Sequence, residues 1–200
     1  MNKNRLEAFS DAVIAIIMTI MVLELKIPHG TDLDAVRPLL PIFLSYVLSF
    51  VYLGIYWNNH HHMLQVTRKV NGGILWANMH LLFWLSLIPF ATGWMGENHF
   101  AALPTALYGV VLLCSAIAYS ILQGLIVRHH RGHDDTLAQA VGKDLKGKVS
   151  IACYIAAIPL AFLNQWISDS LYVAVAIIWL IPDRRIERTV YGNHETRNED

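Results

Sequence analysis

The stretch that decides the fold is residues 5–28, which read RLEAFSDAVIAIIMTIMVLELKIP. Between Ala12 and Leu23 the only polar side chain is that of Thr19. A helix that crosses the hydrocarbon core needs about 20 mostly apolar residues, because each residue rises by about 1.5 Å. We therefore predict that residues 6–27 form a membrane-spanning helix that ends at Pro28. No small-residue cleavage site precedes this proline, so we expect a retained span and no secretory signal.

Five further apolar stretches follow along the chain. They cover residues 38–59, 73–95, 101–127, 149–166 and 168–182. With 6–27 they predict an all-α integral membrane protein of six spans, in one domain over residues 1–191. Residues 192–200 form a polar tail that we expect to be disordered. The last two stretches are short and are separated by the polar residues 168–170, so a re-entrant hairpin is the alternative there.

The composition supports a membrane protein. Apolar residues make up 55% of the chain and charged residues 15%, whereas soluble domains average about 25% charged residues. Fifteen basic and fifteen acidic residues give no reason to expect nucleic acid as a partner. Cys114 and Cys153 lie inside apolar runs, which is typical of packing residues and argues against a disulfide framework or a zinc site.

The basic residues predict the orientation of the spans. With the N-terminus inside, only Lys26 and Arg37 of the 15 lysines and arginines fall in outer segments. Such a bias places basic loops on the cytoplasmic side. We therefore predict that both termini are cytoplasmic, whether or not the last hairpin spans the membrane.

The first predicted span carries one carboxylate and one regular stripe of side chains. Asp11 lies at the start of the apolar run, where a carboxylate is costly unless it is paired, so we expect a partner for it within the protein. A helix cap at the interface is the alternative for Asp11. Ile16, Thr19, Ile20 and Leu23 recur at i, i+3, i+4 and i+7 and therefore share one face. By periodicity alone, this stripe is typical of ordinary bundle packing.

Three motifs in the first three helices resemble one known family. The first is R-x-x-x-F-S-D, formed by Arg5, Phe9, Ser10 and Asp11. The second is W-x-x-H-H, formed by Trp57, His60 and His61, and the third is Asn78 followed by the segment SLIPFAT at residues 86–92. Together they resemble the transmembrane protein 175 family, potassium channels of endosomes and lysosomes with shorter relatives in bacteria and archaea. The rest of the chain matches that family only in length and hydropathy.

The resemblance implies a potassium-preferring cation channel without the carbonyl-lined filter of ordinary potassium channels, and this sequence has no TVGYG-like segment. In the family the first helix lines the pore, and the residue seven positions after the motif's Phe forms the constriction, which here is Ile16. Ile20 and Leu23 would then form further apolar rings, with Thr19 as a polar ring beside them. A chain with one six-helix repeat would assemble as a homotetramer, and a single short repeat indicates the plasma membrane of a prokaryote.

A ring of isoleucines would select ions by dehydration. It offers no ligand, so a cation must thin its hydration shell to pass, which is harder for sodium than for potassium. Hydrophobic constrictions also gate by dewetting. Glu24, just beyond Leu23, would raise the cation concentration at the outer mouth or would simply be a solvated helix end.

The histidines at 60–62 do not predict a metal site. Adjacent helical residues point about 100° apart, so the three cannot face one ion, and we expect neither a metal nor a cofactor. The family resemblance suggests instead that His60, and after it His61, joins Arg5 and Asp11 in a network between the first two helices. His62 departs from the family, in which an arginine often follows the pair.

Two other classes of protein compete with a channel. A secondary transporter or proton-coupled carrier would need carboxylates near the midplane or inverted repeats, and neither is apparent. A membrane redox enzyme would need histidines at matching depths on different spans, and only His80 lies well inside one. No soluble catalytic motif occurs, so we predict that the chain is not an enzyme.

Overall fold

The computed structural model describes residues 2–65, 67, 69–130 and 145–180, and all their regular structure is helical. The helices are α1 Lys3–Leu23, α2 Leu33–Val36, α3 Leu40–Gln65, α4 Gly72–Ser86, α5 Ile88–Glu97, α6 Ala102–His130, α7 Leu145–Leu160 and α8 Gln165–Leu180. A 3₁₀ turn at Arg37–Leu39 joins α2 to α3. The predicted tail at 192–200 lies outside the described residues.

Four helical segments are long and apolar enough to cross a membrane. They are Lys3–Leu23, Leu33–Gln65, Gly72–Glu97 and Ala102–His129. They coincide with the first four predicted spans. The described parts of α7 and α8 have 16 residues each, or about 24 Å of helix, which is less than the roughly 30 Å of a hydrocarbon core. A fifth and a sixth full span therefore stay predictions.

Two helix boundaries differ from those expected from the sequence. The predicted third span is divided at Leu87. Pro89 has no N–H with which to continue the hydrogen bonds of α4, and it lies instead in the first turn of α5. The break between α7 and α8 falls at residues 161–164, ahead of the polar residues at 168–170. Ser168 and Ser170 stay within α8 because their hydroxyls donate to backbone carbonyls, at 2.7 Å in each case.

Packing places α1 at one side of the bundle, against α3, α4 and α5. On the far side, α6 packs against α4 and α7, and α7 pairs with α8. Gly96 of α5 lies so close to α3 that any Cβ there would meet the backbone of Ile42. Small residues allow this kind of close approach between helices in membranes.

Hydroxyl groups connect the helices inside the bundle. Thr92 of α5 donates to Ser49 of α3 at 2.7 Å, and Ser49 bonds Tyr108 of α6 at 2.9 Å. The Tyr52 hydroxyl of α3 donates to the backbone carbonyl of Tyr172 in α8 at 2.6 Å. All five residues are buried, so each hydroxyl bond satisfies a polar group that would otherwise be stranded in an apolar interior.

Candidate pore-lining face and its N-terminal anchor

Helix α1 has one buried face and one open face. The buried side chains are Leu6, Ser10, Ile14, Ile17 and Met21. They recur every three or four residues, which is the period of a helix face. This face packs against the bundle and leaves the opposite face uncovered in the single chain.

The four stripe residues predicted from the sequence lie on the open face. Ile16 is 56% exposed, Ile20 42% and Leu23 79%, and Thr19 is exposed between them. Phe9 lies on the same face, 46% exposed. The Thr19 hydroxyl donates to the backbone carbonyl of Ile16 at 2.9 Å, so the lone pairs of its oxygen remain free.

Small side chains and terminal charges complete the open face. Ala8, Ala12 and Ala15 are exposed beside the stripe. Arg5 and Glu24 are exposed at its two ends, so the charges lie at the ends of the helix and the middle is apolar.

A wide groove runs along the open face, between α1 and α5. It has a volume of about 730 Å³ and is lined by Ile16 and Ile20 on one side and by Phe90 and Trp94 on the other. Glu24 lies at its far end. The rings of Phe90 and Trp94 stack with their centroids 6.4 Å apart, which gives the groove a rigid aromatic wall.

At the N-terminal end of α1, polar side chains pair with α3. Asp11 accepts a hydrogen bond from the indole N–H of Trp57, with 3.1 Å between Oδ1 and Nε1. One turn earlier, Oε1 of Glu7 lies 3.1 Å from Nδ1 of His61. The rings of Trp57 and His61 stack on each other, with centroids 5.9 Å apart, so the two pairs form one continuous contact.

A third pair extends the same contact by one more turn. Nζ of Lys3 donates to the backbone carbonyl of Gln65 at 2.7 Å. The two helices are antiparallel here. From one pair to the next the residue number rises by four in α1 and falls by four in α3, so all three pairs lie on the facing surfaces of the two helices. We call them the N-terminal ladder: Lys3–Gln65, Glu7–His61 and Asp11–Trp57.

A second, fully buried chain of hydrogen bonds connects α1 to both α3 and α4. The Ser10 hydroxyl donates to the carbonyl of Leu6 at 2.8 Å and accepts from Nδ2 of Asn78 at 2.9 Å. Oδ1 of Asn78 lies 2.6 Å from Nε2 of His60. The Ser10 hydroxyl has one proton, which it donates to Leu6, so it can only accept from the amide N–H of Asn78. The amide oxygen of Asn78 therefore faces His60, and Nε2 of His60 carries the proton that it donates to this oxygen.

The structure thus brings most of the motif residues together, in a pattern that the sequence did not predict. Asp11 is paired with Trp57, and His60 reaches α1 through Asn78. Arg5 is exposed, and the described residues give its guanidinium no hydrogen bond or ion pair. Sequence reasoning missed Glu7, Lys3 and Gln65, because the offset between α1 and α3 that brings them together is not recorded in the sequence of either helix.

Comparison with known proteins identifies the family of this chain. A protein-family model described as the endosomal/lysosomal potassium channel TMEM175 matches residues 5–89. A potassium channel of Chryseobacterium sp. (strain P1-3) is 54% identical over 193 residues, covering 96% of this chain and all of that protein. The crystal structure of a lysosomal potassium-selective channel TMEM175 homologue from Chamaesiphon minutus superposes with a TM-score of 0.74 at 26% identity, covering 90% of this chain and 96% of that one.

A more distant relative is larger. The endosomal/lysosomal proton channel TMEM175 of Danio rerio is 27% identical over 138 residues, covering 66% of this chain but only 26% of that protein.

The apolar helical bundle, with four segments long enough to cross a membrane, superposes on a solved channel structure and therefore has the fold of a membrane channel. The chain belongs to the TMEM175 family of potassium channels. It is a member of a channel family and not an enzyme, as predicted from the sequence.

Proposed function

We propose that the chain forms a potassium-preferring cation channel, as a homotetramer whose central pore is lined by α1. The single observation that carries this proposal is the open face of α1, on which Ile16, Thr19, Ile20 and Leu23 are all exposed. The potassium channel of Chryseobacterium, which matches this chain over its full length, supports the choice of ion.

Side-chain size favours a helix-lined axis over lipid as the neighbour of this face. Ala8, Ala12 and Ala15 leave a shallow surface that lets helices approach closely, whereas lipid requires no such surface. Thr19 adds an oxygen whose lone pairs are free to face water or an ion.

Ile16 is the proposed constriction. Four copies of its side chain around an axis present only methyl and methylene groups, so an ion that passes loses part of its hydration shell without compensation. Potassium holds its water less tightly than sodium and is therefore favoured. The same ring closes the pore when it dewets, which makes it a hydrophobic gate.

The N-terminal ladder and Asn78 hold the pore helix in place. They bind the first three turns of α1 to α3 and α4, while the C-terminal half of α1 packs through apolar contacts alone. The ladder therefore sets the rotation of α1 about its own axis, and with it the direction in which Ile16 points.

Six spans with both termini in the cytoplasm complete the proposed topology, and the proposed location is the plasma membrane of a prokaryote. The permeating monovalent cation and the lipid bilayer are the expected partners, besides the other copies of the chain. Glu24, exposed at the far end of the groove, is proposed to attract cations to the outer mouth.

Flux into liposomes tests the proposal. Purified protein is reconstituted into potassium-loaded vesicles, and the ratio of potassium to sodium permeability is measured for wild type, Ile16→Asn and Ile155→Asn. Ile155 is the matched control because it is 57% exposed, on α7. We expect Ile16→Asn to lower the ratio, because an amide in the ring compensates sodium for lost water, and Ile155→Asn to leave the ratio unchanged. Equal ratios in all three proteins would remove Ile16 from the role of constriction.

A proton gradient across the same vesicles separates a channel from a proton-coupled carrier. A channel passes potassium without a proton gradient, whereas a carrier moves potassium only in exchange for or together with protons. A pH-sensitive dye in the same vesicles also measures proton permeability, which the name of the Danio rerio relative makes worth testing.

A further inference from the structure

One group of side chains in the N-terminal ladder has the composition of a metal site. Glu7 and Asp11 lie one turn apart on the same face of α1, and His61 of α3 lies opposite them. One ligand atom from each of the three lies within 4.8 Å of the other two. Each side chain is partly buried and partly accessible from solvent.

The donor set indicates the class of ion. One imidazole nitrogen and two carboxylate oxygens match the ligands of zinc and of similar first-row divalent ions, which bind them at about 2.0 to 2.2 Å. Potassium, magnesium and calcium prefer oxygen ligands alone. Ligand atoms within 4.8 Å of one another reach such a distance from a common centre after small side-chain rotations.

A ring nitrogen of His61 is available as the third ligand. Its Nδ1 atom has no exposed surface and no hydrogen-bond partner. It lies 3.1 Å from Oε1 of Glu7, a contact that is short enough for an ion pair but not aligned as a hydrogen bond. The imidazole therefore places a buried nitrogen without an aligned hydrogen bond beside the Glu7 carboxylate, in a group that also contains Asp11.

The surrounding side chains orient the three ligands. The Trp57 indole holds Asp11 by a 3.1 Å hydrogen bond, and the side-chain amide of Gln65 lies 2.8 Å from Nε2 of His61. Histidine ligands of metals usually donate their second N–H to a carbonyl, and a rotated Gln65 amide would supply one. The three adjacent histidines cannot share one ion, but His61 can share one with Glu7 and Asp11 of the facing helix.

We propose that Glu7, Asp11 and His61 bind one divalent transition-metal ion of the zinc class and thereby join α1 to α3. The proposal does not rest on the proposed ion conduction, because the binding and its test concern the purified protein alone.

Cobalt, which has a visible absorption spectrum in such sites, is the probe. Purified protein without a histidine tag is titrated with Co²⁺ in detergent, for wild type, His61→Gln, Glu7→Gln and the control His62→Gln. The ring of His62 lies 5.8 Å from that of His61, but His62 is outside the group of three ligands. The chain's other histidines, of 10 in all, give a background that every variant shares almost equally.

We expect His61→Gln and Glu7→Gln each to weaken Co²⁺ binding by at least about tenfold, since even the loss of an outer-shell partner costs about 10- to 100-fold. His62→Gln should bind as wild type does. Saturating Co²⁺ should also raise the unfolding temperature of wild type and of His62→Gln, but not that of the other two variants. Wild-type affinity in His61→Gln, or an equal loss in His62→Gln, would overturn the proposal. If His61→Gln does not fold, Glu7→Gln decides by the same criteria.

Discussion

Replacing Asn78 by alanine should destabilise the bundle, because this side chain alone connects Ser10 of α1 to His60 of α3. Asn78 is fully buried in α4 and makes two interhelical hydrogen bonds, of 2.9 Å and 2.6 Å. One such bond in a membrane bundle contributes about 0.6 kcal/mol on average and about 1.7 kcal/mol at most. The expected loss in the free energy of unfolding is therefore about 1 to 3 kcal/mol.

Reversible unfolding in mixed micelles of SDS and a mild detergent measures this free energy. Asn59→Ala is the control, because among the described residues the Asn59 amide donates to the carbonyl of Ile55 in its own helix, at 2.8 Å, and to no other helix. We expect Asn78→Ala to lose at least about 1 kcal/mol more than this control. An equal loss in the two variants would refute the inference that Asn78 holds three helices together.

Two other substitutions test the contacts around the pore helix. Gly96→Ala should cost about 1 to 3 kcal/mol of stability in the same assay, because its Cβ would meet the backbone of Ile42, whereas Gly54→Ala, with open space around it, should not destabilise the protein. Trp57→Phe keeps the ring but removes the N–H that Asp11 accepts, so it should lower stability by about 1 to 3 kcal/mol, the cost of leaving a partly buried carboxylate without its donor. If Gly96→Ala were as stable as wild type, the close packing of α3 and α5 would be contradicted. If Trp57→Phe were as stable as wild type, the hydrogen bond from the indole to Asp11 would contribute nothing to stability.

The sequence predicted the four long spans and the shared face of the α1 stripe well, because both follow from short-range pattern, but periodicity alone favoured a packed face over an open one. A run of apolar residues sets the length of a helix, and the spacing of Ile16, Thr19, Ile20 and Leu23 puts them on one side of it whatever the neighbours are. The first four spans are found within six residues of their predicted limits, although the third is divided at Leu87.

The partners within the N-terminal ladder could not be predicted in the same way. Which residue of α3 faces Asp11 depends on how far two antiparallel helices slide past each other, and no local pattern records that offset. Arg5 was expected in the network on family resemblance, yet it lies on the face of α1 that the described residues leave exposed.

The break between α7 and α8 was predicted at the polar residues 168–170 but lies at residues 161–164, and the hydrogen bonds of the serines explain the difference. Ser168 and Ser170 look like a loop in a hydropathy profile, but their hydroxyls donate hydrogen bonds to backbone carbonyls, Ser168 to Ala157 of α7 and Ser170 to Trp166 in its own helix. Such residues remain inside an apolar helix, so their polarity alone does not mark its end.

Disulfide cross-linking at position 16 tests the central claim that copies of α1 meet on a common axis. Ile16→Cys and the control Ile155→Cys are made in a chain whose Cys114 and Cys153 are replaced by alanine, and membranes are oxidised before non-reducing electrophoresis. A disulfide forms only between residues whose Cα atoms come within about 7 Å. We predict covalent dimers for Ile16→Cys and none for Ile155→Cys. An Ile16→Cys protein that stays monomeric after oxidation, or one that cross-links no more than Ile155→Cys, would contradict a pore lined by α1.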